Sequence, residues 1–233
     1  MAMYNKMLKS VYQNGGFWIG RYEMGINENT VRSYGSDYST LHLTTGQTPV
    51  IKANKVPYNW IRCSQAEELA ETFAPSGGKY TSSLMFGLQW DLVLKYLETN
   101  SVAQAQADLK TDSTNWGNYN NEGFTVTNTS AKYSEDNGAS WKPITVAGYP
   151  KPASAVLLTT GANETRNSKM NICDLAGNVW EWTLEQYTSF SSYPCSGRGG
   201  HYSGVGSDHP ASHRYSLNTT GSNSYNGARV SLY

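Results

Sequence analysis

Three of the four histidines, His201, His209 and His213, fall within thirteen residues, with Asp208 the one carboxylate beside them. Imidazole nitrogens are ready ligands for a transition metal, and the His209–His213 interval is one at which two side chains share a helix face. Gly204, Gly206, Pro210 and Ser212 argue against a helix there, and the scarcity of carboxylates argues against a metal site. Cysteine chemistry is equally sparse. Cys63, Cys173 and Cys195 are widely spaced, form no CxxC or zinc pattern, and allow at most one disulfide. Buried free thiols are the plainer expectation, and the redox compartment stays open. No phosphate-binding loop, nucleophile elbow or HExxH helix occurs.

Elements must position these residues. Gly15 to Glu23 alternates apolar and polar residues after a glycine pair, which predicts a half-buried strand. Ser64 with Glu67 three residues on reads as a capping box opening a helix through Phe73. A second helix is predicted from about Ser83 to Glu98, with Leu84, Leu88, Leu92 and Tyr96 as its apolar stripe and Met85 beside it. A short third helix is expected over Ala103–Leu109. Residues 111–170 read as loop with short strands near Phe124–Val126 and Ala155–Leu158. A turn at Ala176–Asn178 precedes a strand through Val179 to Thr183, and Ala228–Leu232 reads as a closing strand. No internal repeat is visible.

Eighteen basic residues balance eighteen acidic ones across 233 positions, so no electrostatic pull draws the chain to nucleic acid. No apolar run approaches a membrane span. The opening MAMYNKMLKSVYQNGG shows no continuous apolar run of a secretory leader and no clear element of its own. With 22 Gly, 17 Tyr and 7 Trp, the chain reads as a mixed α+β domain with much irregular structure.

From His201 to Tyr233 there is no Lys, Glu, Gln, Met, Trp, Phe or Cys. From His201 to Asn226 the chain is mostly Ser, Gly, His, Tyr and Asn, with Asp208 and Arg214 its only formal charges. Tyrosine gives large contact area at low entropic cost, and Ser, Gly and Asn give adaptable hydrogen bonds, a composition suited to a binding surface. A plain polar loop would use many of the same residues.

The strongest motif is DLAGNVWEW, Asp174 to Trp182. Together with Arg198–Gly200 (RGG), the closing NGARVSLY at 226–233, FWIGRYEMG at 17–25 and the helix segment at 82–98, it resembles the sulfatase-modifying-factor family, whose namesake is the formylglycine-generating enzyme. The resemblance runs in order over about residues 14–233. It implies a single α+β, C-type-lectin-like domain (residues 1–13 a lead-in, 199–230 a variable ligand-binding region), with two main helices, termini close together and short strands framing long loops. The oxidase members use a cysteine pair, five apart, just after the RGG motif; Gly204 and His209 stand there in this chain, so no thiolate is available and an enzyme is not expected.

The same family includes the variable proteins of diversity-generating retroelements, in which adenines of AAC and AAT codons are randomised near the C-terminus. Changing the first two letters of such codons cannot yield Lys, Glu, Gln, Met or Trp, and every residue from His201 to Asn226 obeys that exclusion. The resemblance thus implies a ligand-binding display protein on a phage particle or bacterial surface, with a protein or cell-surface ligand, no nucleic-acid partner and no required cofactor. Its expected contacts are His201, Tyr202, Ser203, Gly204, Asp208, His209, His213, Tyr215, Ser216, Leu217, Asn218, Ser222, Asn223, Ser224, Tyr225 and Asn226, with Tyr202, Tyr215 and Tyr225 as aromatic anchors. Gly200, Ser207, Pro210–Ala211, Arg214 and Gly227–Arg229 match framework positions. By the same resemblance a structural calcium would sit at Asp174, Gly177, Val179 and Glu181; the alternative is that Glu181 pairs with Arg198 or Arg229. A metal-dependent oxidase and a purely structural domain are the competing readings.

Overall fold

The strand nearest the C-terminus lies in the middle of a sheet. Val230–Leu232 runs antiparallel between Trp18–Ile19 and Ser82–Leu84, with Leu232 opposite both Trp18 and Ser82. The two ends of the domain are therefore hydrogen-bonded to each other. The computed structural model describes residues 2–33, 46–75, 77–100, 105–187 and 195–233.

A second sheet carries the candidate surface. Its order is Arg214–Leu217, Cys195–Arg198, Trp180–Gln186, then Asn226–Ala228, the last pairing parallel. Smaller two- and three-stranded sheets, among them Phe124–Val126 with Tyr149–Lys151, brace the connections. The single closing strand expected over Ala228–Leu232 is divided between the two sheets at Arg229. That residue is fully buried and turns its guanidinium onto Glu181, which takes it out of either ladder.

Four helices are described: α1 (Ala2–Asn14), α2 (Cys63–Glu71), α3 (Gly87–Asn100) and α4 (Ala105–Lys110). The first corrects the expectation of an unstructured lead-in: Met3, Tyr4, Met7 and Val11, at three- and four-residue intervals, pack with Phe86 and Tyr233. The capping box of α2 forms earlier than predicted, with the Gln65 side chain accepting from the Arg62 N–H at 3.0 Å. In α3 the predicted stripe is the wrong face. Leu84 and Met85 are buried, Leu84 in the preceding strand, while Leu88, Leu92 and Tyr96 are exposed and Trp90, Val93, Leu94 and Leu97 face inward. The predicted strand over residues 15–23 shrinks to Trp18–Ile19, with Trp18 exposed. α4 matches the expected third helix from Ala105, the earlier part of that prediction lying outside the described residues.

The main core gathers Met24, Ile26, Ile61, Leu69, Trp182 and Val230. A second cluster, with Trp90, Leu94, Leu97, Trp116, Tyr119 and Leu175, sits between α3 and the turn that opens the DLAGN segment. Among the described residues, no helix is long and apolar enough to cross a membrane.

Candidate functional site

The DLAGN segment is a tight turn forced by its residues. Asp174, Gly177 and Asn178 all have positive φ, at 55°, 73° and 59°, the region Gly, Asn and Asp tolerate best. Gly177 is also pressed against Asn118, whose carbonyl oxygen lies 2.2 Å from where a Cβ would stand. This turn sends the chain into the Trp180–Gln186 strand.

On that strand Trp180 and Trp182 point to one side of the sheet. Trp182 enters the main core and donates its indole N–H to the Ile61 carbonyl at 2.9 Å. Trp180 is only 1% exposed, yet its neighbours are the candidate residues. Its ring stacks on Tyr215 at 5.3 Å with planes 11° apart, and meets His209 edge-on at 5.2 Å, His201 at 5.6 Å and His213 at 5.8 Å. Tyr225 packs on His201 at 4.7 Å. One glycine makes the stacking possible: Gly197 is the cross-strand partner of both Trp182 and Tyr215. A Cβ there would come 2.7 Å from Leu217 and 3.5 Å from Trp180.

What holds residues 201–226 in place runs mainly through their backbone. Tyr202 N–H donates to the Asn178 carbonyl at 2.9 Å and Asn120 N–H to the Gly204 carbonyl at 2.9 Å. The Asn120 amide donates to the Ser203 carbonyl at 2.7 Å, and the Tyr119 hydroxyl donates to the His209 carbonyl at 2.8 Å. The indole of Trp90 donates to the Ala211 carbonyl at 3.0 Å, and Arg198 to that of Ser212 at 3.0 Å. Further on, Asn59 donates to the Ser224 carbonyl at 2.8 Å, and Trp180 N–H to that of Tyr225 at 2.7 Å. The cradle is itself fixed: Lys151 Nζ, buried, donates to the carbonyls of Tyr119 at 2.7 Å and Glu122 at 2.9 Å. None of these bonds depends on which side chain the held residue carries.

The expected contact residues divide into two groups. His201, Ser203, Asp208, His209, His213, Tyr215, Ser216, Asn218, Ser222, Asn223 and Tyr225 are exposed or half-buried. Tyr202, Gly204, Leu217, Ser224 and Asn226 are buried, which corrects their assignment as contacts. Tyr202 is the clearest case: its hydroxyl donates to Asn137 at 2.8 Å and lies 2.8 Å from the Ser224 hydroxyl, and its ring packs with Leu157 and Val179. Leu217 belongs to the main core. Of the expected framework, Pro210 and Ala211 are buried, while Ser207 and Arg214 are exposed.

Burial makes the imidazoles resist protonation. His201 is pushed down to about 4 by burial and then by His209. His209 and His213 are lowered as well, burial being the leading cause for both. The patch therefore carries neutral rings near pH 7. The Nδ1 atoms of His201 and His209 have no protein hydrogen-bond partner. Among the described residues, no group of three or more His, Cys, Asp or Glu is arranged to hold a metal ion.

The opposite face of the sheet is ionic. Arg198, fully buried, bonds Asp91 of α3, and Arg214 bonds both Asp91 and Glu185, the latter at 2.7 Å. Deeper, Arg229 meets both oxygens of Glu181, at 2.6 to 2.9 Å, and donates to the Cys173 carbonyl at 2.7 Å. Glu23, beside them, accepts from Asn178. Three buried carboxylates thus share one arginine. Burial raises Glu23 well above the carboxylate range and Asp174 to about 7, with neighbouring charges acting on both. Asp174 accepts from the Gly161 N–H at 2.6 Å. This arrangement does not fit calcium at Asp174, Gly177, Val179 and Glu181, because the Glu181 carboxylate faces a guanidinium cation. The weighed alternative, a pair with Arg229, is what the contacts give.

Sequence reading missed Trp180 as the floor of the patch, and Tyr119 and Asn120 as its cradle. The signal for the cradle was the Asn- and Tyr-rich run at 118–121.

No curated protein matches the sequence. Among solved structures, the chain is similar to variable protein 1 of Treponema denticola, at 14% identity and a TM-score of 0.36, covering 97% of this chain and 65% of that one. The chain thus spans just under two-thirds of that protein's length. It is also similar to CarF, at 12% identity and a TM-score of 0.45, covering 92% of this chain and 85% of that one. The model of the sulfatase-modifying factor enzyme 1-like domain matches residues 16–232. With an α+β, C-type-lectin-like architecture of short strands, small sheets and long connections, the chain belongs to that family.

Proposed function

We propose that this is a non-catalytic display protein, whose surface from His201 to Tyr225 binds a macromolecular ligand and is diversified by a retroelement. The observation that carries the reading is the division of labour in the segment: framework groups grip its backbone, while its rings lie together over Trp180. Side chains at such positions can be exchanged without undoing what positions them. The composition of residues 201–226, free of every residue that adenine randomisation of AAC and AAT codons cannot produce, supports the same reading.

The contacts are His201, His209, His213, Tyr215 and Tyr225, with Ser203, Asp208, Ser216, Asn218, Ser222 and Asn223 as a polar rim. Aromatic burial and hydrogen bonds to the polar rim supply affinity, with little salt dependence because the rings are neutral. The ligand is a protein or cell-surface structure met by a phage particle or a bacterial surface. In place of the oxidase cysteines stand buried Gly204 and His209, which offer no thiolate.

The test is genomic and biochemical. A near-identical repeat of the segment's coding sequence beside a reverse transcriptase, differing only at adenines, is expected. Oxygen uptake with turnover of a cysteine-containing peptide would overturn the binder in favour of an oxidase, and absence of the repeat would leave an undiversified domain.

A further inference from the structure

Two of the three thiols meet across the fold. Cys63 opens α2 and Cys195 opens the Cys195–Arg198 strand. Both are free, half-buried and packed against the same core cluster. The Cys63 Sγ lies 3.9 Å from the Thr183 carbonyl. Thr183 is the cross-strand partner of Ser196, the neighbour of Cys195. The two thiols act on each other: Cys63 is pushed up and Cys195 down to about 7, each chiefly through the other's side chain. Cys173 lies apart from them, fully buried beside Arg229, which takes its carbonyl.

We propose that Cys63 and Cys195 are a redox site that closes reversibly into a disulfide by exchange with a small-molecule disulfide of the glutathione class. The site is separate from the binding surface but joined to it, because the strand that Cys195 opens runs directly to Arg198, Gly199 and Gly200 at the edge of the patch.

The chemistry balances. With Cys63 beside it, the Cys195 thiol is held down at about 7, so Cys195 is the attacking sulfur near neutral pH. Its thiolate attacks one sulfur of the external disulfide, forming a mixed disulfide and expelling one thiolate, which takes a proton from water. Cys63 then gives up its proton and attacks the Cys195 sulfur, expelling the second thiolate. Two protein thiols are oxidised and one external disulfide is reduced to two thiols. Closing so long a loop restrains the unfolded chain, and the bond ties α2 to the sheet that carries the rings.

The test uses the whole chain, incubated with oxidised glutathione, alkylated and mapped without reduction. A cross-link between the Cys63 and Cys195 peptides is expected, with Cys173 alkylated, together with a rise in Tm that dithiothreitol reverses. Cys63→Ser should instead retain glutathione on Cys195 and show no rise. Recovery of both sulfurs alkylated in the wild type, retention of glutathione on wild-type Cys195, or a link to Cys173 would each overturn the proposal. The wild-type map decides the matter even if the serine variant fails to fold.

Discussion

The two faces of the sheet built on Trp180–Gln186 are opposites. One presents Arg198 and Arg214 to Asp91 and Glu185, with Arg229 and Glu181 deeper in. The other presents Trp180, Tyr215 and the histidines, rings without an ion pair among them. Buried charges are intolerant of change because removing one partner strands the other in low dielectric. A ring on a ring can give way to a serine or an asparagine with little consequence beyond its own contacts. The same strands therefore supply buried ion pairs that cannot vary on one side and, over Trp180 on the other, outer rings that can.

The comparison breaks first at its ionic end. Replacing Arg229 by Met should cost about 3–5 kcal/mol, since Glu181 would lose its counter-charge beside Glu23 and Asp174; urea unfolding that finds less than about 1 kcal/mol would show the cluster to be neutral by other means. Trp182→Ala should cost a similar ~3–5 kcal/mol, as the ring fills the main core. Tyr202→Ser should cost about 3 kcal/mol in the same assay, at the low end for a deleted buried aromatic, and so behave as framework although it lies between two exchangeable residues.

A titration sharpens the ring face. The folded-state value of His201, about 4, lies below its unfolded value of about 6.5. Its contribution to stability is full above the unfolded value and is lost as pH falls toward 4, with His209 and His213 shifted in the same direction. Asp174 acts with the opposite sign: raised to about 7, it contributes fully below its unfolded value, and that contribution is lost as pH rises through 7. His201→Asn should flatten the acid limb of the stability–pH curve and leave the neutral limb unchanged; a steeper acid limb would contradict the assignment. The smallest effect is expected at Tyr215, 42% exposed, where Ser should change stability by less than about 1 kcal/mol in thermal unfolding.

Local patterns carried much of this fold. The DLAGNVWEW turn and strand, α2 within two residues, α4 and the strand at Phe124–Val126 follow from turn residues, apolar spacing and propensity. Failures came where distant partners decide. In α3 both Leu88–Leu92–Tyr96 and Trp90–Leu94–Leu97 have helical spacing, and only the turn packed against them selects the second. Tyr202 has the composition of an exposed anchor, but Asn137 and Ser224 receive its hydroxyl inside. Arg229 splits a convincing apolar strand because Glu181 is 48 positions away in sequence and 2.6 Å away in space. The adjacency of Cys63 and Cys195 has no local signature at all.

The placement of Val230–Leu232 has a consequence for how the molecule is made. That segment joins Trp18–Ile19 to Ser82–Leu84, and Thr81 and Tyr233 exchange hydrogen bonds beyond it. A polypeptide interrupted anywhere in 201–226, by a stop or a shifted frame, would lack the strand that joins these two strands. Such a product is expected to leave both strands unpaired and open to proteolysis, so only chains read through to the last strand would complete this sheet.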